Sequence, residues 1–347
     1  MTAKTTKRFV TVLWRAGREP VDDMFWCEAE YDGTWTKVIL LDKVRTRREI
    51  LDRLLELESA VVGFDFPFSF PKPFIDLLIS DKIVTDWRSL ATRVRDDLKK
   101  NTDDGIRLWI ERIGKYRESK LESPEEASRR MPPQYGRQRQ PRKLMPHDLR
   151  SYAERFRRID AIVRHKDERA QWSPVAIRHN QLTGRYEFPD AEARGRKALV
   201  GISMLAQALE SKEFSVWPFT KPGQLTLAEI VHEVFPKPPA NDALAAYFER
   251  EEDRALHVDH SVAEAILTND HAKQALFSLI GMIKAEQREE KNIRPLRDYR
   301  DPFYSDPMIA VEGWAYGIGF RSAQKEDKPA AAPVPTEEPA AAEESSQ

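Results

Sequence analysis

Apolar and polar residues follow two different periods in the first seventy positions of this chain. Three runs rich in β-branched and aromatic residues predict strands at 9–14, 24–31 and 35–41. Asp32-Gly33 favours a tight hairpin between the last two. Apolar residues then return at helical spacing over 45–58, and the run AVVGF from Ala60 predicts a fourth strand. Because a helix separates it from the meander, we expect this strand to pair parallel with the first.

The fourth strand ends in an unusual way, with the stretch AVVGFDFPFSFP over 60–71. The apolar run stops at Asp65, and prolines follow at once. One interpretation is a catalytic or metal-binding acid at the mouth of a parallel sheet. The other is an aspartate that accepts backbone N–H groups in the turn before Pro67. The stretch itself is compatible with both.

The remainder of the chain divides into three parts. Residues 72–209 are mostly helical in pattern and highly charged, with a Pro/Arg-rich loop at 131–146 and predicted helices at 150–166 and 193–209. Strand patterns return at 214–219 and 225–235, followed by helical patterns at 240–256 and 268–291. After Phe320 the composition changes to Ala, Pro, Glu and Ser, which predicts a disordered tail over 321–347. We therefore expect one α/β domain over 1–320, with a helical charged insertion at about 72–212.

Composition excludes several classes of protein. The 347 residues are 41% hydrophobic and carry a net charge of only −1, so the overall charge favours no partner. The single cysteine, Cys27, excludes a disulfide framework. No run approaches the ~18 apolar residues of a membrane helix, and no apolar leader precedes the first strand. We expect a soluble cytoplasmic protein with no membrane partner.

Nucleotide-driven motors and serine hydrolases lack support in the sequence. Neither GxGxxG nor GxxxxGK[ST] occurs, which counts against a nucleotide-driven motor or an actin-like ATPase. The GxSxG elbow of many serine hydrolases does not occur either.

Positive charge is concentrated in one segment, 129–169. It contains thirteen Lys and Arg against five Asp and Glu, a local excess of +8. Such a concentration favours contact with a phosphate backbone, and arginine suits bidentate phosphate binding. A solvated helix face that pairs with the acidic run 249–253 would account for the same residues.

Seven short words occur in the order seen in a family catalogued as domain of unknown function 429. They are GFDFPFSFP (63–71), FRRID (156–160), ALVGISML (198–205), VWPF (216–219), EVFP (233–236), QALFSLIGMI (274–283) and VEGWAYGI (311–318). The family is described as a predicted ribonuclease H-like nuclease, and the resemblance covers roughly residues 8–320. It implies a ribonuclease H-like mixed sheet flanked by helices.

The resemblance also implies a metal-dependent chemistry. Ribonuclease H-like nucleases hold two divalent metals, Mg²⁺ or Mn²⁺, with three or four carboxylates, and one metal activates the attacking water. On this chain the matching acids are Asp65 and Glu233, both as catalytic residues and metal ligands, with Asp270 as a possible third. Arg157 and Arg158 are expected to anchor phosphate, supported by Arg150 and Lys143.

Two departures from the family pattern weaken the expected metal site. Leu13 stands where the family usually has an aspartate, and Arg15 follows closely. Gln274 stands where the family tends to have another aspartate. Asp270, one turn earlier, could compensate, but an acid in a first helical turn is also expected for its interaction with the helix dipole.

Two functional hypotheses follow from these observations. The first is a metal-dependent nuclease, or a protein derived from one, that acts on nucleic-acid phosphodiesters. The alternative is a catalytically inactive module that binds nucleic acid or another ligand. Leu13 and Gln274 favour the alternative.

Overall fold

A computed structural model describes most of the chain outside the central basic segment and the C-terminal tail. The described residues are 6–99, 101–120, 173–180, 182–232, 235, 238–241, 243–244, 256–287, 309–313 and 315–316. The predicted helix at 150–166, the loop at 131–146 and the tail at 321–347 lie outside these residues.

Nine strands occur within the described ranges. They are β1 (Lys7–Leu13), β2 (Met24–Tyr31), β3 (Thr36–Val44), β4 (Ala60–Phe64), β5 (Arg178–Asn180), β6 (Arg185–Glu187), β7 (Ser215–Trp217), β8 (Leu225–Glu229) and β9 (Leu256–His257). Seven of these described strands form one mixed sheet in the order β7-β8-β4-β1-β2-β3-β9. The β5–β6 pair forms a separate small hairpin.

Helices cover both faces of the main sheet. They are α1 (Arg47–Glu56), α2 (Lys72–Ser80), α3 (Trp87–Lys99), α4 (Thr102–Lys120), α5 (Arg194–Ser211), α6 (His260–Thr268) and α7 (Asp270–Gln287), followed by a helical turn at Ile309–Glu312. A core that includes α1, α3 and α5 packs on Val10, Val12 and Phe64. The opposite core, with α7, packs on Phe9 and Leu13. The chain is therefore a mixed α/β protein in which the side chains of β1 alternate between two cores.

The predicted meander and crossover are confirmed. β1 pairs antiparallel with β2, and β2 with β3. β4 pairs parallel with β1, and β8 pairs parallel with β4. α1 begins after Thr46, whose side chain accepts a hydrogen bond from the backbone N–H of Glu49, as an N-cap does. The carboxyl ends of β1, β4 and β8 consequently share one edge of the sheet.

The prediction of a strand over 225–235 was wrong in length, because β8 ends at Glu229. Seven of the eleven residues in the run LTLAEIVHEVF are apolar, and no Gly or Pro occurs before Pro236, so its pattern contains no stop signal. The strand ends where Ile230 N donates to Phe64 O, at the end of the neighbouring strand.

A segment near the C-terminus closes on the turn that follows β4. The Ser69 hydroxyl donates to Val311 O, and the Glu312 carboxylate accepts the N–H of Lys72 at 2.6 Å. That N–H lies in the first turn of α2, whose N-cap Pro71 has no capping side chain. Tyr316 N donates to Glu229 O at the end of β8. Glu312 therefore caps a helix that lies 240 residues earlier in the chain.

Within the part of the chain that the structure describes, no helix is both long and apolar enough to cross a membrane.

The thiol of Cys27 is expected to resist modification in the folded protein. It is fully buried in β2, and burial, followed by the charge of Glu28, raises its pKa well above the ordinary range. Titration with a thiol reagent should give less than about 0.1 equivalent in native buffer and one equivalent in guanidinium chloride. Rapid reaction of the native protein would contradict the packing of β2.

Candidate functional site

The candidate site lies where β4 and β8 end side by side. Phe64, the last residue of β4, pairs in parallel register with Glu229, the last residue of β8. Asp65 is the next residue after this pair. Asp65 N donates to Val12 O, which continues the pairing with β1 by one residue. The side chains of Asp65 and Glu229 are 2% and 0% exposed. Two buried carboxylates thus occur at neighbouring strand ends, and buried carboxylates require partners.

Both oxygens of Asp65 face basic groups of the protein. His232 Nδ1 lies 3.0 Å from Oδ1, and Lys197 Nζ lies 3.5 Å from Oδ2. Burial by itself would raise the pKa of the Asp65 carboxyl. The charges of His232, Lys197 and Arg194 outweigh burial and hold that pKa well below its usual range. Asp65 is therefore an ionised carboxylate whose negative charge is balanced by basic side chains of the protein.

The oxygens of Glu229 are occupied in a similar way. Oε2 accepts the backbone N–H of Phe68 at 2.9 Å, and Arg194 Nη2 lies 3.7 Å from Oε1. The first bond anchors the turn of the DFPFSFP stretch to β8. Glu229 thus holds the turn after β4 and is itself balanced by the first residue of α5.

The first turn of α5 supplies the cations. Arg194, Arg196 and Lys197 all lie in it, although the dipole of a helix favours acidic residues there. Gly195 between them permits a close approach, because an added Cβ would stand 2.2 Å from Pro174 O. Pro174, which precedes the β5–β6 hairpin in the chain, is thus packed against the start of α5.

The contacts among Asp65, Glu229, Arg194, Lys197 and His232 form a charge network. Glu192 and Arg15 extend this charge network to the loop after β1. Glu192 Oε2 lies 3.8 Å from Lys197 Nζ and 3.9 Å from Arg15 Nε. Glu192 Oε1 accepts the N–H groups of Ala16 and Gly17. Arg15 therefore contributes a positive charge at this edge of the sheet, opposite Glu192.

Of the three acids predicted for the site, only Asp65 lies in the charge network. Asp270 starts α7, which reaches the same edge of the sheet, but its carboxylate is 93% exposed and pairs with Lys273 at 3.0 Å. Leu13 is buried in the core under α7, and Gln274 is half-buried. Glu233, Lys143, Arg150, Arg157 and Arg158 lie outside the described residues.

The described donors do not fit the two-metal site that the resemblance implies, of which the second expected ligand, Glu233, lies outside the described residues. Each of the four carboxylate oxygens of Asp65 and Glu229 faces a protein N–H or a basic side chain. Among the described residues, no group of three or more His, Cys, Asp or Glu side chains could hold a metal ion. A divalent cation at Asp65 would also stand next to Lys197, His232 and Arg194, which repel it.

Sequence reasoning missed five members of this network: Glu192, Arg194, Lys197, Glu229 and His232. One usable signal was the cationic start of the helix, ARGRK, which opposes the helix dipole. No sequence signal identified His232, because it lies inside the mostly apolar run that follows β8.

A cleft of about 620 Å³ lies at the other end of the sheet. Trp87, Lys212 and Ser215 contribute to its lining. Lys212 follows the last turn of α5 and Ser215 starts β7, whereas Lys197 and Asp65 belong to the opposite ends of α5 and of the parallel strands. The cleft is therefore separate from the charge network.

The comparisons with known proteins are negative. No protein-family model matches the chain, and neither a curated protein nor a solved structure shows significant similarity to it.

Acid titration is expected to reveal the charge of Asp65. Because its pKa is lowered on folding, its contribution to the free energy of unfolding is fully present above about pH 4, where the carboxyl of the unfolded chain is ionised. The contribution is lost as pH falls from there through the folded-state pKa. Denaturant unfolding of the wild type and Asp65→Asn at pH 7, 5, 4 and 3 should show a difference that shrinks only below about pH 4. A difference that grows between pH 4 and pH 3 would reverse the sign assigned to this group.

Proposed function

We propose that this chain is a catalytically inactive module of ribonuclease H-like architecture that binds nucleic acid without a metal. The proposal rests on one observation above all. The protein's own donors engage the oxygens of the two acids at the candidate site, Asp65 and Glu229. Acids in such contacts are engaged by the protein itself and have no open coordination position for a metal.

The topology supports the ribonuclease H-like part of the proposal. An antiparallel meander of β1, β2 and β3 is followed by a helix and by β4, which is parallel to β1. This is the arrangement implied by the family resemblance. The turn that begins at Asp65 also lies at the carboxyl end of the parallel strands, where open α/β sheets form their ligand crevices.

The distribution of charge along the chain supports the proposal that the protein binds nucleic acid. The segment 129–169 has an excess of +8 in a chain whose net charge is −1. It leads into Ser173 and Pro174, and Pro174 lies against Gly195 in the cationic first turn of α5. Arg157 and Arg158 within this segment are the residues that we expect to bind a phosphate backbone.

Binding should be measured by fluorescence anisotropy with single-stranded, double-stranded and hybrid oligonucleotides. We expect salt-sensitive binding that is equal in EDTA and in Mn²⁺, with no cleavage. Arg157→Gln/Arg158→Gln should weaken binding about tenfold and reduce the slope of log K against log salt by about 1.5 to 2. Arg48→Gln is the matched control, because Arg48 is 74% exposed and pairs with Asp52 on α1.

Absence of binding to all three substrates, or equal losses in the double variant and in Arg48→Gln, would refute a nucleic-acid interface in the basic segment. Melting temperatures of all variants should be recorded beside the affinities, so that loss of folding is not read as loss of binding.

The second candidate function is the metal-dependent nuclease. The convergence of Asp65 and Glu229 at adjacent strand ends favours it, since such nucleases collect acids at this edge. Metal-dependent cleavage by the wild type in Mn²⁺, abolished by EDTA and restored by fresh Mn²⁺, would establish this function and exclude the inactive module.

A further inference from the structure

The β5–β6 hairpin carries an almost fully exposed leucine at its tip. Leu182 is 97% exposed, whereas the other exposed large apolar residues of the described ranges are 37–47% exposed. An isolated exposed leucine is common on protein surfaces, so this exposure acquires meaning only from the way the tip is held and charged.

Hydrogen bonds fix the backbone of the tip. The side-chain oxygen of Asn180, the last residue of β5, accepts the N–H groups of Leu182 and Thr183 at 2.9 and 3.3 Å. The backbone oxygen of Asn180 accepts the N–H of Gly184 at 2.9 Å, and Gly184 has a φ of +65°, in the left-handed region that glycine favours. The leucine is thus presented in one position before any partner arrives, which lowers the entropic cost of binding.

The base of the hairpin is anchored on α4. The guanidinium of Arg117 donates to the carbonyl oxygen of Ile177, directly before β5. The ring of Tyr186 packs so closely on α4 that an added Cβ at Gly114 would stand 2.8 Å from it. The hairpin is therefore a supported β-ribbon with a solvent-exposed tip.

Positive charge lies beside the exposed leucine. Arg178, at the base, pairs with Glu187 across the two strands at 2.8 Å. Arg185, nearer the tip, is exposed, and its cross-strand neighbour is the neutral Asn180. A partner that fits this tip has negative charge next to an apolar slot about as wide as one side chain.

Double-stranded nucleic acid has both features. Its grooves admit a two-stranded β-ribbon, and the phosphates line their edges. Apolar side chains, leucine among them, insert between neighbouring base pairs, unstack them and kink the duplex by about 20–90°.

We infer that the β5–β6 hairpin is a wedge for duplex nucleic acid, in which Leu182 inserts between two base pairs and Arg185 contacts the phosphate backbone. The inference rests on the proposed function and deepens it, by naming the duplex as the preferred form of the partner and a second contact surface outside the basic segment.

Bending of a duplex tests the wedge. A DNA duplex of about 20 base pairs with a central TA step, which kinks easily, carries a donor dye at one end and an acceptor at the other. Energy transfer at saturating protein reports the bend, and anisotropy reports affinity at several salt concentrations. The proteins are the wild type, Leu182→Ala, Leu182→Met and Arg185→Gln. Leu267→Ala is the matched control, because it truncates another exposed leucine, at the end of α6.

The wild type and Leu267→Ala should raise energy transfer, because a kink brings the duplex ends closer. Leu182→Ala should bind about tenfold more weakly, with no rise in transfer and an unchanged slope of log K against log salt. Leu182→Met should restore the rise, since methionine also acts as a wedge. Arg185→Gln should keep the rise at saturation but reduce the salt slope by about 0.9.

A duplex bound by the wild type without a rise in transfer would overturn the inference, and so would a rise that Leu182→Ala retains. Binding of single strands alone would also overturn it, while leaving the proposed function intact; absence of binding to every nucleic acid would refute both. Self-association of the wild type that Leu182→Ala abolishes, without any effect on the duplex, would instead assign the tip to a second copy of the chain. Melting temperatures should be equal for all five proteins, because each substituted side chain is exposed.

Discussion

Asp65→Asn is expected to lower the free energy of unfolding by about 3–5 kcal/mol at pH 7. The substitution keeps the size of the side chain but removes a buried negative charge that faces Lys197, His232 and Arg194. The basic groups then remain desolvated with less compensation, which is the usual reason for a large loss when one partner of a buried ion pair is removed. Urea unfolding at pH 7, followed by tryptophan fluorescence, measures the difference.

Two variants make this result specific. Asp270→Asn removes an acid from the same edge of the sheet, but its carboxylate is 93% exposed, so the change should stay within about 0.5 kcal/mol. In Asp65→Asn/Lys197→Met, the loss should be smaller than the sum of the two single losses, because the second change removes a cation that the first had left uncompensated. Additive losses would show that Asp65 and Lys197 do not interact.

Phe66→Ala is expected to destabilise the fold by a similar amount, about 3–5 kcal/mol. Phe66 is fully buried next to Asp65, and its ring centroid lies 5.1 Å from those of Trp14 and Phe68. Its ring also packs on the backbone of α5, where an added Cβ at Gly201 would stand 2.4 Å from it. Alanine would leave a cavity between β4 and α5 that these neighbours cannot fill.

Phe66→Leu should recover part of the loss, because it refills some of the cavity. Leu182→Ala provides the surface comparison, since Leu182 is 97% exposed and its truncation should change stability by less than about 0.5 kcal/mol. A loss in Phe66→Ala no larger than that of Leu182→Ala would show that the turn after β4 is not packed against α5. The measurement is again denaturant unfolding.

The fold could be predicted from local sequence where periodicity was strong. Alternation and turn chemistry identified β1, β2 and β3, and helical spacing identified α1 and hence the parallel crossover to β4. The short hairpin β5–β6 and the edge strand β9 were missed. Strands of two or three residues are too short to show a period.

The candidate site was less predictable, because it depends on contacts between distant positions. Asp65 was recognisable where an apolar run stops at an acid. Its partner Lys197 lies 132 residues away, inside a segment that reads as an ordinary amphipathic helix. Glu229 was overlooked because the apolar run continues beyond it, which drew attention to Glu233 instead.

The cap that Glu312 places on α2 has a consequence for how the polypeptide reaches its native state during synthesis. The N–H of Lys72 emerges from the ribosome 240 residues before the carboxylate that accepts it. Tyr316, which donates to the end of β8, is translated later still. The contacts of the turn after Asp65 are therefore complete only once residue 316 has been translated, and contacts of such long sequence separation are those that slow folding.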